Sequence, residues 1–229
     1  MKGWMMAAMA GVLMLLAGCG GSQAPEWMDT TFRADWPEEG TQNGIKVSVE
    51  FVVPRIENIT EDNQAWNAIN EYFSMTGESW LQKSEEYLYV PDLQPGEYRV
   101  ESDYEVVYQT EQLASIVQRR VENLGGAYPT NVMFGDVVNL QNGYVLAMDD
   151  LFTVNSTTYQ PRLLDLMQQQ GDYPREQLEG YFDFNFWYLT EDNLVIFYQE
   201  DTLAPHAAGV IEFPLPIQEL KDIWALKET

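Results

Sequence analysis

Three kinds of residue are scarce in this chain, and each scarcity removes a class of chemistry. There is one histidine, His206, and one cysteine, Cys19, among 229 residues. Zinc hydrolysis draws on about three protein ligands, usually with histidines among them, and a carboxylate base. This inventory does not supply that set, and no metal or cofactor is expected. A Ser-His-Asp triad would have to run through His206, and no Gly-x-Ser-x-Gly elbow accompanies it. A lone cysteine forms no disulfide within the chain. Basic residues are the third scarcity: 12 Lys and Arg face 36 Asp and Glu, giving a formal net charge of −24 and an isoelectric point near 4.1. Such a surface repels nucleic-acid phosphates and attracts cations or basic proteins. Acid pairs are too common here to mark a glycosidase. No Asp-x-Asp-x-Asp-Gly loop frames Asp149-Asp150 or Glu200-Asp201, which read as solvated turns rather than calcium sites.

What is present begins with a leader. Met1-Lys2-Gly3 carries one positive charge, and Trp4 to Leu16 is an apolar run of signal-peptide length, too short to span a bilayer comfortably. Leu16-Ala17-Gly18-Cys19 then follows the bacterial lipobox pattern, in which small residues admit the chain to a peptidase and the cysteine thiol receives a diacylglycerol. The expectation is a signal peptide over 1–18, a lipid on Cys19, and a protein anchored on the outer face of the bacterial cytoplasmic membrane. The alternative is an ordinary secretory signal with an incidental cysteine. Residues 19–43 carry no periodic pattern and read as a tether, although Trp27, Phe32 and Trp36 could dock back on the folded part.

Over the whole sequence, the hydrophobic fraction of 45% and charged fraction of 21% describe a chain with a packed core. Ile45 to Val53 alternate as a half-buried strand that Pro54 ends. Thr60 is the expected N-cap of a helix, with Glu61 and Asp62 in its first turn, and Ala65, Trp66, Ile69, Tyr72 and Phe73 on its apolar stripe. Gly77 is expected to break that helix, and Trp80 to Leu88 to form a second. Tyr98 to Tyr108 is a long strand. Leu113 to Leu124 fits a helix or a strand. Asn142-Gly143 supplies a tight hairpin turn between Val137–Leu140 and Tyr144–Met148. Tyr159, Leu163, Leu164 and Met167 mark a helix, and Pro174 to Gly180 a shorter one. Phe182, Phe184, Phe186 and Tyr188 alternate as a strand. Leu194–Tyr198 returns after the turn Thr190–Asn193, Val210–Phe213 is a short strand, and Pro216–Leu220 a last helical turn. The fold class is α+β: two small modules, 44–136 and 137–224, each an antiparallel or mixed sheet packed against helices.

Two sets of residues resemble known families. Asn139-Leu-Gln-Asn-Gly-Tyr-Val-Leu-Ala-Met-Asp-Asp-Leu-Phe152, Leu189 to Tyr198, Ala204-Pro-His-Ala-Ala-Gly209, Ile211 and Pro216 to Leu220 resemble the RsiV C-terminal domain. The Ile45 strand, the helix near Asn67 and Asn70, and Tyr98 to Tyr108 resemble a PdaC-type domain. The resemblance implies the extracellular pairing found in the anti-sigma-V factor, a sensor that binds lysozyme. In the deacetylase the same pair precedes a separate catalytic domain. This sequence shows neither a sigma-binding segment nor a deacetylase domain, so the resemblance implies a binding module without catalysis. Where that family often has Gly-Gly-Ala-His, this chain has Gly125-Gly126-Ala127-Tyr128.

The stretch Tyr198 to Phe213 holds the single histidine, two acids and a Pro-His-Ala-Ala-Gly corner, which no buried strand would carry. Tyr198, Glu200, Asp201, Pro205 and His206 are the expected contact residues, for recognition rather than catalysis. The expected partner is a cationic extracellular protein of the lysozyme type, with the membrane engaged through the lipid on Cys19. The alternative is cell-wall carbohydrate (peptidoglycan), which calls for exposed aromatic rings in a groove. A third reading, an enzyme, calls for His206 in a pocket beside an activated hydroxyl or acid. The leader reading is checked directly: Cys19→Ser is expected to abolish incorporation of labelled fatty acid and move the protein from the membrane fraction to the soluble one. Unchanged labelling would overturn the lipobox assignment.

Overall fold

Alternating apolar residues build the first layer. The computed structural model describes residues 24–60 and 63–226. A five-stranded mixed sheet runs in the order β1 (Trp27–Trp36), β2 (Ile45–Ile56), β3 (Gly96–Gln109), β4 (Leu113–Asn123), β5 (Thr130–Asn139). Only the β2–β3 pair is parallel, and it is joined through the crossover helix α1 (Gln64–Lys83). In β2, Ile45, Val47, Val49, Phe51 and Val53 all turn inward, and Val53 and Ile56 meet Ile69 and Phe73 of α1 in one core cluster. A second layer follows: α2 (Ser156–Gln168), α3 (Arg175–Gly180) and the three-stranded antiparallel sheet β6 (Trp187–Leu189), β7 (Asn193–Tyr198), β8 (Ile211–Pro216). Its core gathers Tyr159, Leu163, Leu164 and Met167 of α2 with Leu194, Ile196, Phe213 and Leu215 of the sheet. The architecture is α+β with two sheets.

The seam between the sheets lies on β4 and β5. Val117, Met133 and Phe197 form a small buried cluster there. Leu189 gives its N–H to the buried Ser115 hydroxyl at 2.9 Å. Gly135 is what allows the approach: a Cβ at that position would stand 2.0 Å from the Trp187 carbonyl oxygen, so only glycine fits.

Several local expectations change. Part of the expected tether is a strand: Trp27–Trp36 pairs antiparallel along β2, from Trp27 opposite Ile56 to Trp36 opposite Val47. Its rings are held, with Trp27 Nε1 on Gln109 Oε1 and Trp36 Nε1 on the Ser84 hydroxyl, both at 2.7 Å. Charged residues interleaved with the aromatics hid the alternation. Residues 1–18, Cys19 and Glu61-Asp62 lie outside the described residues. The N-cap of α1 is Asn63, whose side chain accepts the Trp66 N–H at 3.1 Å, rather than Thr60. Pro54 sits inside β2 because β3 stops pairing after Phe51. Val52 and Ile56, flanking it on the same edge, give their N–H to the Ser102 hydroxyl and Asn70 Oδ1 instead of to a strand.

Leu113–Leu124 resolves as strand through Asn123, satisfied on both edges by β3 and β5. The Asn142-Gly143 turn forms, with Gly143 at φ 77° giving its N–H to Asn139. Its second arm makes only the Val138–Val145 bridge. The Asp150 carboxylate takes the Ala147 N–H at 2.8 Å and turns the chain into a short 3₁₀ segment, which buries Met148 and Leu151. Phe182 to Phe186 is not strand either. Asp183 accepts the Asn185 N–H at 2.8 Å in a local turn, and only Trp187–Leu189 pairs.

Gly77 continues α1 rather than breaking it. A Cβ there would lie 2.3 Å from the Phe32 ring of β1, so the glycine is a notch into which the strand's aromatic ring presses. In an exposed helix interior, Gly→Ala stabilises by roughly 1 kcal/mol. Here Gly77→Ala is expected to destabilise by about 1–3 kcal/mol through overpacking, read as a lower urea midpoint. A higher midpoint would show that the Phe32 ring has room to move.

Candidate functional site

The corner after β7 works differently from its sequence expectation. Tyr198 is 1% exposed and donates its hydroxyl to the Leu178 carbonyl at 2.7 Å. It is a core residue, not a contact residue. Gln199 and Glu200, the next two residues, clasp the outer edge of β5. Gln199 accepts from Met133 N–H at 3.0 Å and donates to Met133 carbonyl at 2.6 Å. Glu200 accepts from the Asn131 N–H and Nδ2 at 2.8 and 2.6 Å, which leaves its side chain 5% exposed. Burial thus removes two of the five expected contact residues, Tyr198 and Glu200, from the surface. An edge strand needs such cover to avoid pairing with other chains.

Asp201, Pro205 and His206 remain at the surface. Pro205 opens a 3₁₀ turn, His206–Ala208, closed by Gly209 at φ 70°. His206 Nδ1 stands 3.0 Å from Asp201 Oδ2 and 3.5 Å from Glu200 Oε2, and its ring lies 6.4 Å from that of the exposed Tyr128. The hydrogen bond that the protonated ring donates to Asp201 raises the imidazole pKa above its ordinary 6.5, with a smaller push from the charges of Asp201 and Glu200. Tyr128 therefore lies beside the only imidazole. The ring's partners are carboxylates that orient it in solvent.

Asp149 and Asp150 also have internal roles. Asp149 accepts the Tyr159 hydroxyl at 2.5 Å, and Phe152 stacks on the Tyr159 ring at 4.2 Å. Among the described residues, no group of three His, Cys, Asp or Glu side chains is placed to hold a metal ion.

The strongest constellation is one that the sequence reading passed over. Tyr72, Thr76 and Trp80 recur every fourth residue along one face of α1. Opposite them, Phe134 and Asp136 alternate on the same face of β5, with Gln118 of β4 directly across from Phe134. Val145–Ala147 and Phe184–Trp187 close the far side, enclosing a cleft of about 280 Å³. At its floor the Tyr72 hydroxyl donates to Asp136 Oδ1 at 2.6 Å, and Gln118 Nε2 to Oδ2 at 3.1 Å. Both donors are neutral. Gln118 is 1% exposed, and its Oε1 is the one buried side-chain polar atom among the described residues with no partner. A larger cavity of about 600 Å³, beside Tyr108, Leu113, Leu189 and Trp224, contains no such orphan.

The signal for this cleft lay in parity. Gln118 shares a face with Ala114 and Ile116, and Asp136 with Val138, so both polar residues occupy inward positions of core strands. Phe184 and Phe186, expected as strand core, instead form part of its rim.

Residues 149–218 match the family described as protein of unknown function (DUF3298). A crystal structure of a DUF3298 family member from Bacteroides fragilis is 20% identical, covering 88% of this chain and 94% of its own, with a TM-score of 0.62. A DUF3298 family protein from Pseudomonas aeruginosa PAO1 is 14% identical over 88% of this chain and 95% of its own, with a TM-score of 0.58. At these identities the likeness is one of fold. No curated protein matches the chain.

Burial raises the pKa of the Asp136 carboxyl above its ordinary value, while hydrogen bonds from Tyr72 and Gln118 pull it down by less. Such a group holds its proton more tightly in the folded state. Its cost is absent below the unfolded pKa, grows as pH rises toward the folded one, and is full above it. Asp136→Asn keeps an oxygen for Tyr72 and removes the buried charge. The variant is expected to melt above the parent at neutral pH, by roughly 2–4 °C for each kcal/mol recovered, and the gap to close as pH falls to about 4. A variant that melts below the parent at neutral pH would show that the carboxylate stabilises the cleft.

Proposed function

We propose that this protein is a non-catalytic binding module of the bacterial cell surface, held on the outer face of the cytoplasmic membrane by a lipid on Cys19, and that it binds a basic extracellular protein of the lysozyme type. The observation that carries this reading is charge. Even if every one of the 12 Lys and Arg paired with an acid, 24 of the 36 carboxylates would have no basic residue to pair with. The field of such a surface speeds encounter with a cationic partner and disfavours anionic ones. The resemblance of the C-terminal stretch to the RsiV domain, and of the N-terminal part to the PdaC type, supports an extracellular sensor-like role. The exposed corner at Asp201, Pro205 and His206 is offered as one part of the contact surface.

Cell-wall carbohydrate is the second reading, favoured by the aromatic rings of Trp80, Phe134 and Phe184 along one cleft. A salt series separates the two. Retention of hen lysozyme on the immobilised full chain is expected to weaken by roughly tenfold or more between low and physiological ionic strength, because screening shortens the reach of surface charge to about 8 Å. Retention of insoluble peptidoglycan that ignores salt, with no retention of lysozyme, would overturn the first reading and favour the second.

A further inference from the structure

The cleft between α1 and β5 holds a pattern of needs that a specific ligand group would meet. Asp136 carries a carboxylate at its floor, held by two neutral donors. Its electrostatic surroundings are burial and those two hydrogen bonds. Gln118 presents a buried carbonyl oxygen with no donor. A ligand must therefore bring N–H or O–H donors, and a positive charge would relieve the uncompensated carboxylate as well.

The walls fit a cation on an apolar stem. Tyr72, Trp80, Phe134, Phe184 and Phe186 line the space. Two of these rings already hold a cation: the Arg120 guanidinium carbon lies 5.6 Å from the Trp80 centroid and 5.4 Å from that of Phe134. Arg120 does not neutralise Asp136, because its Nε pairs with Glu122 at 2.9 Å. Size decides between ligand classes. A cleft of about 280 Å³ falls just under the ~300 Å³ at which small-molecule sites begin, and suits one side chain better than an oligosaccharide.

We infer that this cleft is a socket for a primary ammonium at the end of a flexible apolar stem, the side chain of a lysine presented by the basic partner. The ammonium's three N–H donors reach the Asp136 carboxylate and the Gln118 carbonyl, and its methylene stem lies along the rings. Surface acidity brings the partner in, and the socket fixes its register. The inference rests on the reading of a basic protein partner, but it is tested with a different probe.

That probe is n-butylammonium, titrated into the full chain while the fluorescence of the cleft tryptophans Trp80 and Trp187 is followed. A saturable change is expected at constant ionic strength. Asp136→Asn is expected to weaken it by roughly tenfold or more, without loss of thermal stability. Gln118→Leu, which removes the orphan carbonyl, is expected to weaken it less, and Glu39→Gln, at an exposed acid outside the cleft, to leave it unchanged. No saturable change, an equal response in Asp136→Asn, or saturation by chitotriose where butylammonium gives none would each overturn the socket. If butylammonium binds through Asp136 while lysozyme is not retained, the socket stands and the lysozyme reading falls.

Discussion

The exposed edge of β5 is the constraint around which both halves of the molecule are arranged. A five-stranded sheet that ended there would offer a row of unpaired backbone groups. The second half of the chain covers that edge group by group. Glu200 takes the Asn131 N–H, Gln199 takes both backbone groups of Met133, Leu146 donates to Val137, and Asn139 donates to Tyr144. Between these contacts Gly135 yields its side-chain space to the Trp187 backbone. The two sheets share one strand's needs, and the cleft opens where the cover stands away from α1.

This arrangement explains why the corner after β7 drew attention in the sequence for the wrong reason. Its unusual composition reflects two tasks in one short stretch: Tyr198, Gln199 and Glu200 face inward to core and edge, while Asp201 to Gly209 reverse the chain at the surface with Leu203 alone buried. Glu and Gln are ordinarily surface residues, so nothing in their identity announces that they are spent on backbone groups. The histidine stands out by rarity, but its surroundings are two carboxylates and a tyrosine ring. The cleft shows the converse. Its residues are individually unremarkable in type, and they converge from α1, β4, β5 and two loops.

How much was legible follows from periodicity. β2, β3 and α2 could be read because one face of each is more deeply buried than the other, so alternation or a helical stripe survives in the sequence. β7, buried on both faces, was marked only by its apolar run after the Thr190–Asn193 turn. β4 was ambiguous because Ala114 to Gln118 are all buried, on both faces, which erases the period. β1 was hidden by acids and an arginine on its exposed face. Phe182 to Phe186 misled in the opposite sense, since alternate phenylalanines there pack from a turn rather than a strand. The cleft depended on two inward polar residues, and seeing them required the strand assignments first. Gln118 could not be recognised as out of place while Leu113–Leu124 was open between helix and strand.

The first strand also sets a height. With Cys19 carrying the lipid as proposed, eight peptide steps separate it from Trp27, where the sheet begins. Fully extended at roughly 3.3–3.6 Å per residue, that chain reaches about 29 Å at most. A tether running to residue 43 would have allowed three times the distance. The folded body would therefore ride close above the bilayer, with its acidic surface and the anionic headgroups repelling each other at short range. A cationic partner drawn into that gap would meet negative charge on both sides. With that anchor, the ordering of ten residues into β1 would shorten the leash, and any capture event would lie at the membrane face rather than out in the wall.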